Sequence, residues 1–329
     1  MRPSLAVMRV SAVLLALGAL IGAAVAGAAS LDKARGEPAL VTARDMTQQA
    51  VASASAWSPK HCEAVDLWSP DVGAAYRFHA PGACPATSTG RGIAAVATDY
   101  NRVLWLAYAG GNTREYTLWT ATRTAKQPRR LRFASADVDA PAPIVLGNGG
   151  ESEIPYAVGV DVVVLGYNGK RLISWHAPAR VVALSAGPGG VGVLVETGHL
   201  YILKGAAPTV TDYAYAPGEV KSFRTSSIGT IVNTPGDIEI RTGTKTVPLG
   251  IGPGAFLVGF ADGNVVYTRG AEIRLFYRPT GDDTLVRRVR QPFRAEFDRR
   301  GLAWATRNTV CFSVRVYFAH PLERTPACG

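Results

Sequence analysis

The sequence predicts an all-β protein, a β-propeller of six blades with seven also fitting, its ring closed by one or more strands from the amino-terminal part of the chain. Three observations predict it. From Trp57 onward, short runs of Val, Ile, Leu, Tyr, Phe and Trp are bounded by Gly, Pro, Asn and Asp, the pattern of strands and turns. A strand-turn-strand-turn-strand unit, seen plainly in FADGNVVYTRGAEIRLFY at 260–277, recurs at intervals near 40 residues. No long amphipathic helix breaks the series. With 47% hydrophobic and 18% charged residues, the chain of 329 is too apolar for disorder and can bury a substantial core.

Residues 1–28 read as a secretory signal peptide, because Arg2 and Arg9 precede an apolar run that closes on small residues. Cleavage is expected after Ala26 or Ala28. An uncleaved anchor is the rival reading, since the run from Val10 approaches the ~20 residues that span a bilayer. No later segment is long and apolar enough to span, so the mature chain is expected to be secreted, in the cell envelope or outside the cell. Loss of the leader takes the formal net charge from +10 to +8.

Residues 29–56 are polar and rich in Ala and Ser, and read as a flexible linker, with a marginal helix near 39–52 as an option. Residues 57–329 form the propeller domain. Gly190, Gly229, Gly263 and Gly301 lie 39, 34 and 38 residues apart, each following one strand and preceding an apolar one. Two weaker copies, starting near Gly92 and Pro143, bring the units to six. Each meander has two apolar faces that only its neighbours can cover, which a radial arrangement provides. The innermost strands are expected at 93–98, 144–147, 181–186, 220–223, 256–260 and 294–297, where Gly and Ala suit a crowded centre. The piece CEAVDLWSPDVGAAYRFHAPGAC at 62–84 is expected to complete the sheet begun at 293–318.

Cys62, Cys84, Cys311 and Cys328 form an even set in a chain read as exported, which favours two disulfides over thiol chemistry. Three connectivities are open. Proximity favours Cys62–Cys84 and Cys311–Cys328, and crossed pairs would tie the two ends together. His61 adjoins Cys62, but no zinc-type spacing accompanies it.

These units resemble the TolB-like and WD-repeat-like β-propellers, whose repeat carries a Ser-Pro-Asp-Gly turn before an apolar strand and an aromatic one. WSPDVG at 68–73 is similar to that turn with an insertion, FADGNVVY to its Asp-Gly portion, and LWTATRTAKQPRRLRF at 118–133 to its outer two strands. Most copies lack the full string, and no Trp-Asp dipeptide closes the blades. The resemblance implies a disc-shaped scaffold that binds a protein, peptide or glycan on one face, and it transfers no catalytic residue.

Asp99, Asn148, Asp262 and Asp298 follow the expected inner strands and are candidates to ring one mouth of a central channel. The competing account is that Asp and Asn there bond their own backbone as ordinary turn formers. The five histidines share no spacing, there is no GxSxG elbow, and GPGGVG at 187–192 lacks the Lys and Ser/Thr of a phosphate loop. Trp105, Trp119, Trp175 and Trp304 sit in strands, where packing between blades is their expected use. Arg287, Arg288, Arg290, Arg294, Arg299 and Arg300 form the densest basic patch, a candidate surface for anionic polymers. The balance favours a monomeric binding or scaffold module with no cofactor and no nucleic acid partner. The alternatives are a propeller hydrolase or lyase with a metal in the channel, and adhesion to anionic envelope polymers through the arginines.

Overall fold

The computed structural model describes residues 40–45, 49–54, 64–69, 74–79, 91–99, 101–125, 127–150, 153–298, 301–306 and 310–313. Among them there is no helix, and the strands fall into seven antiparallel sheets in chain order. The first holds β1 (Leu40–Asp45), β2 (Gln49–Ala54), β3 (Ala64–Ser69) and β4 (Ala74–His79). The second holds β5 (Arg91–Thr98), β6 (Arg102–Ala109), β7 (Thr113–Thr122) and β8 (Arg129–Asp137). The third holds β9 (Ile144–Leu146), β10 (Glu153–Val158), β11 (Asp161–Gly166) and β12 (Arg171–His176). The fourth holds β13 (Val181–Gly187), β14 (Gly190–Val195), β15 (Leu200–Lys204) and β16 (Thr209–Tyr213). The fifth holds β17 (Ser222–Ser226), β18 (Gly229–Asn233), β19 (Ile238–Thr242) and β20 (Lys245–Pro248). The sixth holds β21 (Phe256–Ala261), β22 (Asn264–Arg269), β23 (Glu272–Tyr277) and β24 (Asp282–Arg288). Three described strands, β25 (Arg294–Asp298), β26 (Gly301–Ala305) and β27 (Val310–Ser313), make the last. This all-β set of mostly four-stranded meanders is consistent with a β-propeller.

Side chains alternate across a strand, so a run apolar at every position must find cover on both sides. Strand β6 shows how. Val103, Trp105 and Ala107 pack with Val65, Leu67 and Phe78 of the first sheet, while Leu104 and Leu106 pack with Ile144, Ile154 and Tyr156 of the third. Strand β11 repeats the division, Val163 and Leu165 facing the second sheet, Val162 and Val164 the fourth. In β22, Val265 and Tyr267 face the fifth sheet and Val266 the seventh.

The cluster between the third and fourth sheets alone contains nine buried Val, Leu and Ile residues. At about 1.5–3 kcal/mol for each such side chain, one interface matches or exceeds the ~5–15 kcal/mol by which a whole domain is stable. No sheet here would stand without its neighbours.

The first strands of consecutive sheets run side by side, β5 with β9, β9 with β13, β13 with β17, β17 with β21 and β21 with β25. Five of the six strands expected to be innermost fall on these elements, β9 ending one residue early, while the expected 220–223 meets β17 only at Ser222 and Phe223. Their glycines have a packing reason at ordinary φ. A Cβ on Gly187 would run into the carbonyl of Thr225, and one on Gly259 into that of Phe297, because adjacent sheets converge there. At the β21–β22 turn the reason is conformational: Asp262 and Gly263 have φ of 51° and 82°, the two positive values of a type I′ hairpin.

The structure differs from the sequence expectation at the amino-terminal side. Part of the expected linker is paired, since β1 and β2 lie within 29–56 in register from Leu40 opposite Ala54 to Asp45 opposite Gln49. Among the described residues the amino-terminal strands form a sheet of their own and none pairs with β25, β26 or β27, so the described sheets number seven, where six units were expected with seven also fitting. Strand β1 lies beside β25 and β26. Strands of small and polar residues carry little apolar alternation, which hid LVTARD and QAVASA.

Buried polar tips give the fold a pH signature. Burial, then the hydrogen bond from Tyr267 Oη to Asp283 Oδ2 (2.7 Å), pushes the Tyr267 phenol up to about 12, against about 10 in an unfolded chain. The folded state therefore holds this proton more tightly than the unfolded one. Its contribution is complete below pH ~10 and disappears as pH rises through ~12. Urea melts between pH 8 and 12 are expected to show a steeper alkaline loss of stability for the wild type than for Tyr267→Phe; parallel profiles would contradict this.

Candidate functional site

The carboxyl-terminal ends of β13, β17, β21 and β25, with the loop after β9, surround one cavity of about 170 Å³. Asn148, Asp262 and Asp298 line it, together with Gly149, Gly187 and Ser227. Three of the four polar residues expected at a channel mouth are thus brought together. Asp99 is not among them. It is buried, and its Oδ1 accepts from the backbone N–H groups of Asn101 (2.9 Å) and Arg102 (2.7 Å), the turn-forming use.

Two residues that sequence reasoning missed form the floor. Arg224, on β17 of the fifth sheet, donates through Nη2 to both oxygens of Glu296 on β25 of the seventh (3.0 Å each) and to the Val258 carbonyl on β21 of the sixth (3.0 Å). With its amide oriented oxygen-inward, Asn148 of the third sheet accepts from Nη2 (2.8 Å) and Nη1 (3.1 Å) of the same guanidinium. One side chain of the fifth sheet thus meets both Asn148, just after β9, and Glu296 of the seventh sheet. The pair is largely buried, with 16% of the Arg224 side chain and 9% of Glu296 exposed.

A repeat signal for these residues existed. Ser185, Arg224, Val258 and Glu296 each stand five positions before their unit's turn glycine, Gly190, Gly229, Gly263 and Gly301. Ser185 is also at the centre, its backbone forming a parallel bridge with Asn148. The matching strand position thus carries Ser185, Arg224 and Glu296 in three of the units, whereas in the sixth sheet the Val258 side chain packs between sheets and only its carbonyl meets Arg224.

The remaining candidates are dispersed. Arg287 lies 4.7 Å over the ring of Trp304, joining the outer strand of the sixth sheet to the seventh. Arg288 is paired with Glu272 (3.2 Å), whose carboxyl Arg274 and then Arg288 hold below its ordinary range. Arg290 and Arg294 are exposed, and Arg299 and Arg300 lie outside the described residues. So do Cys62, Cys84 and Cys328; Cys311 is buried on β27 in the cluster with Trp304. His176 meets Asp161 (2.9 Å) and His199 meets Asp212 (3.0 Å), each a local pair on its own sheet. Among the described residues no three His, Cys, Asp or Glu side chains are grouped to hold a metal ion.

No family model and no curated protein matches this sequence. Solved structures do match in shape. PorZ, an essential bacterial surface component of the type-IX secretion system of Porphyromonas gingivalis, superposes with a TM-score of 0.55 at 11% identity over 91% of this chain, which spans 39% of the PorZ chain. The computationally designed Ika8 protein superposes with a TM-score of 0.50 at 13% identity, covering 87% of this chain and 98% of its own. At such identities the likeness is one of fold, and it does not single out the TolB-like group. The chain has an all-β, propeller-type architecture.

Proposed function

We propose that this chain is an exported binding module whose seven sheets close into a ring, and whose ligand face is the channel mouth rimmed by Asn148, Asp262 and Asp298. One observation carries the reading: Arg224, held by Glu296, Asn148 and the Val258 carbonyl, fills the centre and turns the channel into a floored cup. A cup of about 170 Å³ is below the ~300–1,000 Å³ of pockets that enclose a small molecule. It suits a single protruding side chain of a protein or peptide partner. The metal-hydrolase alternative is weaker on electrostatic grounds, because the guanidinium stands where a cation would sit and occupies Glu296 and Asn148.

Peptides selected by display on the mature chain test the site. Asp262→Arg is expected to weaken them at least tenfold, whereas Arg290→Gln on the outer edge leaves them bound. Selected peptides indifferent to Asp262→Arg would sink the reading, and turnover of a lactone or glycan that stops on chelation would select the hydrolase.

Ring closure is supported by β1 lying beside β25 and β26. Two disulfides among Cys62, Cys84, Cys311 and Cys328 belong to the same reading, with Cys311 buried on β27 in the cluster with Trp304. A chain starting after Ala54 is expected to lose the cooperative melt of the full mature chain. An unchanged melt would overturn closure through β1.

A further inference from the structure

Away from the channel, the second and third sheets part toward their outer strands and leave a cleft of about 540 Å³. Its floor follows from register. Tyr156, Val163 and Ser174 stand opposite one another across β10, β11 and β12, as do Val158, Asp161 and His176 two residues on, so both rows share the face toward the second sheet. The intervening row faces the fourth sheet, where the Trp175 ring lies 5.3 Å from that of Tyr201. Arg132 of β8 reaches in from the opposite wall, its guanidinium 5.6 Å from the Tyr156 ring centroid, and Arg171 of β12 lines the same space.

Two guanidinium groups, of Arg132 and Arg171, and one carboxylate, of Asp161, line this cleft. Several other arginines are matched by carboxylates: Arg77 by Asp66, Arg180 by Glu196, Arg224 by Glu296, and Arg274 by Glu272 and Asp283. Among the described residues neither Arg132 nor Arg171 has a carboxylate within ion-pair distance. Asp161, the carboxylate lining the cleft, is bonded to His176 Nδ1 at 2.9 Å. Burial raises the Tyr156 phenol above its ordinary value while Arg132 and Arg171 pull it back down, so both guanidinium groups act on that hydroxyl.

We propose that this cleft binds a phosphate or sulfate group carried as an ester on a small polar molecule. Arg132 and Arg171 would grip the oxyanion from two walls, as guanidinium groups do with tetrahedral oxyanions, and the hydroxyls of Tyr156 and Ser174 would donate to it. The space falls in the ~300–1,000 Å³ range of small-molecule sites, more than a bare ion fills, which assigns the remainder to the carrier. The site is separate from the channel mouth and independent of the function proposed for it.

Calorimetric titration of the full mature chain with inorganic phosphate, inorganic sulfate, glucose 6-phosphate and glucose 6-sulfate tests this. At least one ester is expected to bind tenfold or more tighter than its free ion. Arg132→Gln and Arg171→Gln are each expected to weaken it tenfold or more, with Arg290→Gln unchanged. Should a variant fail to fold, amide shifts of Tyr156 and Ser174 on titrating the wild type with the ester report the site directly, and they are expected to move first. Absence of ester binding at millimolar concentration, binding that survives both substitutions together, unmoved amides, or equal affinity for ester and free ion would each overturn the proposal.

Discussion

Arg224→Met is expected to lower stability by about 3–5 kcal/mol, the cost of breaking a buried ion pair from one side. Glu296 is 9% exposed and accepts two bonds from this guanidinium, so its charge has little water to fall back on. Glu296→Leu on top of Arg224→Met should therefore restore part of the loss, since the stranded charge goes with it. Recovery stops short of the wild type. Asn148 and the Val258 carbonyl also lose their donor, at about 1–3 kcal/mol for each polar group left unsatisfied. Arg224→Lys is expected to fall between, because an ammonium cannot span from Glu296 to Asn148 with a planar fork. Urea denaturation of these variants, with the single Glu296→Leu added to complete the double-mutant cycle, gives the comparison. A single variant within about 1 kcal/mol of the wild type would mean that the guanidinium is not what holds the sheets at their centre.

What the sequence disclosed and what it hid divide along a physical line. The turn glycines and apolar second strands of the later sheets were legible because backbone conformation and two-sided burial restrict residue choice there: Gly263 needs its φ of 82°, and Val265 to Tyr267 face two neighbours at once. The inner strands followed from their place before those turns. Strands β1 and β2 were not legible, since LVTARD and QAVASA spell neither a two-sided apolar run nor a clean alternation. Asn148, Asp262 and Asp298, which line one cavity, were picked out through turn chemistry, which selects Asn and Asp for a reason unrelated to ligands, and Asp99 shows how that signal misleads. Arg224 and Glu296 stayed hidden because a charged residue in a strand ordinarily marks the wet face. Only the shared offset from the turn glycine reveals that it points to the axis.

Trp105→Ala is the second large effect expected, at about 3–5 kcal/mol for removing a fully buried Trp from a packed core. The indole is 0% exposed and sits between sheets, its ring stacked on Phe78 with centroids 6.4 Å apart and planes at 21°. Val65, Leu67 and Phe78 of the first sheet are covered on this side by the second sheet's Val96, Val103, Trp105, Ala107 and Ala121. Deleting the ring thus loosens the hold of the first sheet on the rest. Trp105→Phe is expected to cost far less, because the indole N–H has no hydrogen-bond partner among the described residues and its loss strands no acceptor. Denaturation followed by far-ultraviolet dichroism separates the two variants, and limited proteolysis locates the damage. Cleavage in the Trp105→Ala protein should concentrate between β1 and β4, where freed strands become accessible. If the Ala variant instead melts within about 1 kcal/mol of the wild type, the first sheet does not fold cooperatively with the others, and a ring that depends on it for closure cannot stand.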